Sequence, residues 1–178
     1  MKHIFRTILL MLLALPISFA VGQDVNPRAS SITFTVTNLG IEIDGRFRTF
    51  SGSVHFDPAK PDESSFEMSI PVRSINTGNK MRDSHLREEE FFDVKTYPNI
   101  TFASETVETS GDGFLLKGPL TIKGTEKQIS IPFSYADGVF SGSFVINRHD
   151  YNVGNGGFLD TIGDNVTITV KCFLSNAE

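Results

Sequence analysis

Arg82, Asp83 and His85 fall within four residues of one another, and Arg148-His149-Asp150 gathers the same residue types again. An imidazole beside carboxylates can move protons, and Ser84 would add a hydroxyl nucleophile to His85 and Asp150. The surrounding residues withhold support for that chemistry. There is no G-x-S-x-G elbow, and Ser84 lies in a stretch of helix-forming residues rather than at a strand-to-helix turn. On a helix surface, the plainer role for Arg82 and Asp83 is pairing or capping. No catalytic residue is assigned, and the protein is not expected to be an enzyme. For metal, His55-x-Asp57 is the nearest approach to ligand spacing, with no H-x-x-x-H or Cys/His cluster beside it, so no metal site is expected.

The same polar groups could do something other than catalysis. Arg82, His85 and Arg148 could hydrogen-bond a ligand head group at the mouth of a pocket. Equally, Arg82 or Arg148 could pair with Asp83 or Asp150 and close the structure with a salt bridge. Both readings stay open on the sequence.

These residues sit in an unusual setting. Thr77 to Phe102, TGNKMRDSHLREEEFFDVKTYPNITF, places charges, the Phe91-Phe92 pair and a Tyr97-Pro98 turn between two β-like runs. Asn79 to Glu90 has no β-branched run, which predicts a short helical insert over about residues 78–92. The flanks alternate apolar and polar residues, as half-buried strands do. Runs are read at 31–37, 45–57, 65–74, 99–109, 114–122, 128–135, 140–146 and 166–174, with Gly52 as a bend in the second. Asp137-Gly138 is a strong hairpin signal. Eight antiparallel strands without β-α-β alternation predict an all-β barrel just wide enough for side chains or one small ligand. A two-sheet sandwich is the rival fold. The charged insert then reads as a lid or side wall.

Composition narrows the partners. Lys2 and Arg6 precede an apolar run from Ile8 to Leu15, Pro16 and a small-residue exit, the pattern of a signal peptide over residues 1–22. The apolar run is too short for a good membrane span. Residues 23–178 would then form one domain, periplasmic or secreted. Loss of Lys2 and Arg6 takes the net charge from −5 to −7, which argues against nucleic acid and anionic membrane surfaces. Cys172 is the only cysteine, so no internal disulfide is available, and its place beside Val166, Ile168 and Val170 reads as a buried apolar position. The chain has sixteen phenylalanines and no tryptophan. Phenylalanine fills a core or lines a lipid cavity equally well.

Matched in order, the residues carry a family pattern. It runs Pro27-x-x-Ser30-Ser31-Ile32-x-Phe34-x-Val36, Gly45-x-Phe47, Phe50-x-Gly52 and Phe56-Asp57-Pro58. It continues through Ser74-Ile75-x-Thr77-Gly78, Arg82-Asp83-x-His85-Leu86, Phe91-Phe92-Asp93 and Tyr97-Pro98-x-Ile100-x-Phe102. Gly118-x-Leu120-Thr121-Ile122-x-Gly124 and Arg148-x-Asp150-Tyr151 complete it. This resembles the YceI-like family of bacterial exported proteins along the whole chain beyond residue 22. His149 and Asn152 depart from the family's more usual Lys and Gly. The resemblance implies a lipocalin-like barrel with a helical insert, no cofactor, and a long apolar ligand such as a polyisoprenoid, an isoprenoid quinone or a fatty amide.

Two functions follow for testing. In the first, the lumen holds a long-chain isoprenoid or other lipid for sequestration or transport, lined by Phe34, Val36, Phe50, Val54, Met68, Ile70 and Phe144. Arg82, His85, Leu86, Phe91, Phe92 and Arg148 would frame its mouth. In the second, the barrel is filled and serves as a ligand-free structural or stress-response interaction module. An open mouth ringed by apolar side chains could also favour a homodimer.

Overall fold

A computed structural model of the chain describes residues 22–155 and 161–175. The expected signal peptide lies outside them. Among the described residues, twelve strand segments form one antiparallel sheet, with a single short α-helix. The segments are β1 (Gln23–Asp24), β2 (Ser31–Asn38), β3 (Ile41–Phe47), β4 (Ser51–His55), β5 (Ser65–Pro71) and β6 (Ile75–Asn76). After helix α1 (Lys80–His85) come β7 (Asn99–Ala103), β8 (Thr106–Ser110), β9 (Gly113–Ile122), β10 (Thr125–Ala136), β11 (Val139–Asn147) and β12 (Ile162–Phe173).

Twelve segments rather than eight strands come from three interrupted runs and the added short strand β1, not from a different architecture. β3 and β4 are two parts of one run, as are β5 and β6, and β7 and β8. In the second run β3 pairs with β6 while β4 pairs with β5, so the two halves face the same neighbouring run. The other pairings proceed β5–β7–β9–β10–β11–β12 and return from β12 to β2 and β3. Every one of the eight runs therefore pairs with both neighbours. The ring is sealed further where Val25 bridges Leu174 and β1 pairs with β4.

The breaks have a packing consequence. In a continuous strand Phe47 and Val54 would point to opposite faces. The gap at Arg48–Phe50 resets the alternation, so Ile43 and Phe47 of β3 and Val54 of β4 all face the lumen. The 3-10 turn Val72–Ser74 does the same between Ile70 and Ile75. The sequence reading put the bend at Gly52, but Gly52 lies within β4. A side chain there would run into the Glu67 carbonyl and the Met68 sulfur of β5, so close strand approach is what demands the glycine.

Among the two-residue hairpins, those at Leu39-Gly40, Lys123-Gly124 and Asp137-Gly138 have φ between 49° and 78° at both central residues. Positive φ at both positions is the type I′ turn that matches strand twist. The first of these hairpins falls between the runs expected at 31–37 and 45–57, which hides the start of β3.

The two ends of the barrel differ. Phe56, Phe66, Phe114, Phe133, Tyr135 and Phe140 pack at one end, with ring centroids between 4.6 and 6.1 Å apart and mostly edge to face. Such pairs add to the burial of their area. At the other end lie the Leu39-Gly40 and Lys123-Gly124 hairpins, the insert carrying α1, and the 3-10 turn Arg148–Tyr151. Between the ends, the Phe34 ring lies over Gly45, its partner across β2 and β3. Gly45→Val should collide with that ring and destabilise the fold by roughly 1–3 kcal/mol. A urea denaturation midpoint unchanged from the parent would show that the ring is free to move aside.

Candidate functional site

Helix α1 is shorter than the sequence predicts. Asn79 caps it, its side-chain oxygen accepting from the Met81 and Arg82 amides at 3.0 and 3.1 Å. The helix stops at His85, and the chain continues in tight turns, with the Arg87 amide donating to Ser84 and the Glu88 amide to His85. Glu88-Glu89-Glu90 explains the stop. Three acidic residues at a helix C-terminus oppose its dipole.

The insert is held by charged groups spent on the protein's own backbone. Arg87 donates to the Arg73 and Ile75 carbonyls, both at 3.1 Å. Arg82 donates to the Thr77 hydroxyl at 2.8 Å and the Thr77 carbonyl at 2.9 Å. Asp83, 4% exposed, accepts from the Thr77 amide and hydroxyl at 2.7 and 2.6 Å and from the Asn76 amide at 3.2 Å. Burial alone would raise the Asp83 pKa, but the two Thr77 hydrogen bonds, the Arg87 charge and Asn76 outweigh it and hold the carboxyl below its usual range.

Arg148 is the counterpart across the rim. It is 6% exposed and donates to the carbonyls of Val153, Gly154, Ile162 and Gly163 at 2.6 to 3.1 Å. The Asp164 carboxylate lies 3.6 Å away. Neither salt bridge foreseen for Arg82 or Arg148 with Asp83 or Asp150 is among the ion pairs of the described residues. A planar fork of donors satisfies several carbonyls at once, which explains arginine here. The Gly154 amide donates to Glu90, tying this loop to the insert.

Beneath this cover lies an apolar lumen in two lobes. The wider, of about 340 Å³, touches Phe34, Val36, Asn38, Ile43 and Phe47 on β2 and β3, and the insert above them. The narrower, of about 150 Å³, runs toward the aromatic end. Phe34, Phe47, Ile100, Ile122 and Ile168 border both, so the lobes adjoin at that waist. Of the residues expected from the sequence, Phe34, Val36, Arg82, His85, Leu86, Phe91, Phe92 and Arg148 line the wider lobe. Val54, Met68, Ile70 and Phe144 line the narrower one, which Phe34 also borders.

Phe50 is placed elsewhere. It lies in the break before β4 and lines an outer depression with Ser51, Ser53 and Ser69. Ile43, Phe47 and Ile75 were missed as lumen residues because the breaks that turn them inward leave no alternation to follow. Tyr151, 2% exposed, was matched in the family pattern but not foreseen as a wall of the wider lobe. Its hydroxyl pKa is pushed up to about 12, by burial first and by the Asp150 charge second, so it stays neutral.

His85 does not join a catalytic arrangement with Ser84. The two are consecutive on α1 and do not face each other. The His85 Nε2 is 3.0 Å from the Glu90 carboxylate, and its ring stands edge-on to Phe91 at 5.0 Å. Cys172 is buried against the narrower lobe, and burial raises its thiol pKa.

A family model described as the YceI-like domain matches residues 24–173. The chain belongs to the YceI-like family. Among its relatives, a UPF0312 protein of Shewanella oneidensis is 33% identical over 135 residues, covering 73% of this chain and 71% of the relative. One from Vibrio parahaemolyticus is 35% identical over the same coverage. The crystal structure of BcnA from Burkholderia cenocepacia superposes with a TM-score of 0.80 at 32% identity, over 83% of this chain and 98% of BcnA. A polyisoprenoid-binding domain from Saccharophagus degradans shares the fold at 18% identity, TM-score 0.68, over 88% and 99% of the two chains. The YceI-like barrel is thus the expected all-β, lipocalin-like fold.

Two outcomes follow from the rim. Asp83 has a folded pKa below that of the unfolded chain, so its stabilising effect is complete above the unfolded value of about 4 and is lost as pH falls through the folded value. Asp83→Asn should therefore flatten the acid limb of stability against pH, as measured by thermal melts; an unaltered limb would contradict the hydrogen-bond account. Arg148→Met leaves the Val153 and Gly154 carbonyls, the two in fully buried bonds, without donors at roughly 1–3 kcal/mol each, so a loss of about 2–6 kcal/mol is expected, with Arg148→Lys restoring only part. Denaturant unfolding of the two variants checks this ordering.

Proposed function

We propose that the protein is an exported carrier that holds one lipid with a long apolar chain in the lumen, to sequester or move it, rather than to transform it. The observation that carries this reading is the apolar lumen beneath the insert, whose wider lobe of about 340 Å³ is within the range of ligand pockets, roughly 300–1,000 Å³. A filled structural barrel would have no such lobe. The residue pattern at residues 1–22 supports export. A related fold from Saccharophagus degradans is described as a polyisoprenoid-binding domain, which favours an isoprenoid among apolar ligands.

The physics requires little polar contact. Each buried methylene contributes roughly 0.8 kcal/mol, so about ten of them offset much of the cost of association. Specificity for the tail would be loose. Among the described residues no helix is long and apolar enough to cross a membrane.

A long-chain prenol such as geranylgeraniol should form a one-to-one complex visible by native mass spectrometry. Val36→Phe fills the wider lobe and should weaken that binding about tenfold or more, the loss of a buried stretch of tail. Val145→Phe, on the exposed outer face, should leave it unchanged. Equal binding by all three proteins would move the ligand out of the lumen.

A further inference from the structure

Leu39, Ile41 and Met81 are the three most exposed large apolar side chains among the described residues, at 74, 66 and 83%. Single exposed apolar residues are ordinary, but these three share a place. Leu39 follows Asn38, which borders the wider lobe. Ile41 has the parity of Ile43 and continues its apolar stripe past the lobe wall into solvent. Met81 lies one helical turn before His85 on the same face of α1, and His85 borders the lobe from the insert side. Together the three stand around the mouth. Leu39 is also costly where it is. Its φ of 51° is in the left-handed region, which a type I′ turn fills best with asparagine, aspartate or glycine. The corresponding residues of the other two such hairpins are polar, Lys123 and Asp137. Neither the turn nor the core gains from a leucine at this tip, so strain and exposure coincide at one residue.

From this, and resting on the carrier reading above, we infer that the mouth docks on a neutral lipid bilayer, with Leu39, Ile41 and Met81 entering its apolar layer, and that the lipid passes between bilayer and lumen there. A long apolar chain is driven out of water, so its transfer needs a path that stays apolar from the bilayer to the wider lobe. The rim residues supply that path because they continue the lobe wall. A second copy of the chain is a poorer occupant. Three side chains fall well short of the roughly 800 Å² per partner that a stable dimer buries. Attraction comes from apolar area and not from charge. The exposed charges of β3 and the insert lean acidic, with Glu42, Asp44, Glu88, Glu89 and Glu90 against Arg46, Lys80 and Lys95. That excess favours phosphatidylcholine surfaces over phosphatidylglycerol.

The chain has no tryptophan, so single substitutions make clean reporters. Leu39→Trp and Met81→Trp report from the mouth, and Asp112→Trp from the exposed turn between β8 and β9, next to Phe114 at the aromatic end. With the protein recovered after export, phosphatidylcholine vesicles brominated in their acyl chains should quench both mouth reporters and leave Asp112→Trp unquenched. Adding Leu39→Asn to the Met81→Trp protein should raise the lipid concentration for half quenching about tenfold, the loss of one buried apolar side chain. Asparagine suits the turn, so urea unfolding should show no loss of stability to explain that change. Equal quenching of all three reporters would overturn the inference. So would a requirement for phosphatidylglycerol, or a dimer in gel filtration that Leu39→Asn dissolves. No quenching at the mouth, while geranylgeraniol still forms its one-to-one complex, would overturn docking and leave the carrier reading intact. Absence of that complex would sink both.

Discussion

The pairing of β12 with β2, in register from Val166 opposite Val36 to Lys171 opposite Ser31, joins the last strand to the first long one and turns a sheet into a ring. From then on every second side chain has one destination, the lumen. That closure decides what the rest of the molecule must manage. An eight-run ring encloses more space than backbone alone fills, so side chains must either occupy it or leave a cavity. The protein does each at a different end. Six aromatic rings fill one end, whereas isoleucines, valines and four phenylalanines only line the other.

Leaving a cavity requires a cover that does not fall in. The insert and the Arg148 turn meet this requirement with arginines directed at backbone carbonyls and a carboxylate directed at Thr77. Buried charge of this kind is tolerable only when each atom has a partner. It also explains why residues that resemble catalytic parts are not free to act as such. Asp83 and Arg148 are consumed in holding the rim, and His85 is turned toward Glu90.

Much of the barrel was legible in the residue order, because period-two alternation survives wherever a strand is unbroken. β2, β9, β10, β11 and β12 lie close to their expected positions, and Phe34, Val36 and Phe144 face the lumen as their parity requires. Legibility failed at the breaks. Arg48–Phe50 and Val72–Ser74 reset the parity, which displaced Phe50 and concealed Phe47 and Ile75. The length of α1 was overestimated because helix-forming residues continue past the point where an acidic cluster makes the C-terminus unfavourable. The role of Arg148 was beyond reach, since its four carbonyl partners are invisible in side-chain patterns. Asn38 falls outside the runs expected at 31–37 and 45–57, although it closes an otherwise apolar inward stripe.

The central claim is that an apolar tail occupies the lumen rather than the outer face. A crystal structure of the chain grown with a long-chain prenol tests it most directly. The account predicts continuous density through the waist bordered by Phe34, Ile100, Ile122 and Ile168, with the head group beneath the insert. Density confined to the outer depression beside Phe50, with the lumen unchanged, would contradict it.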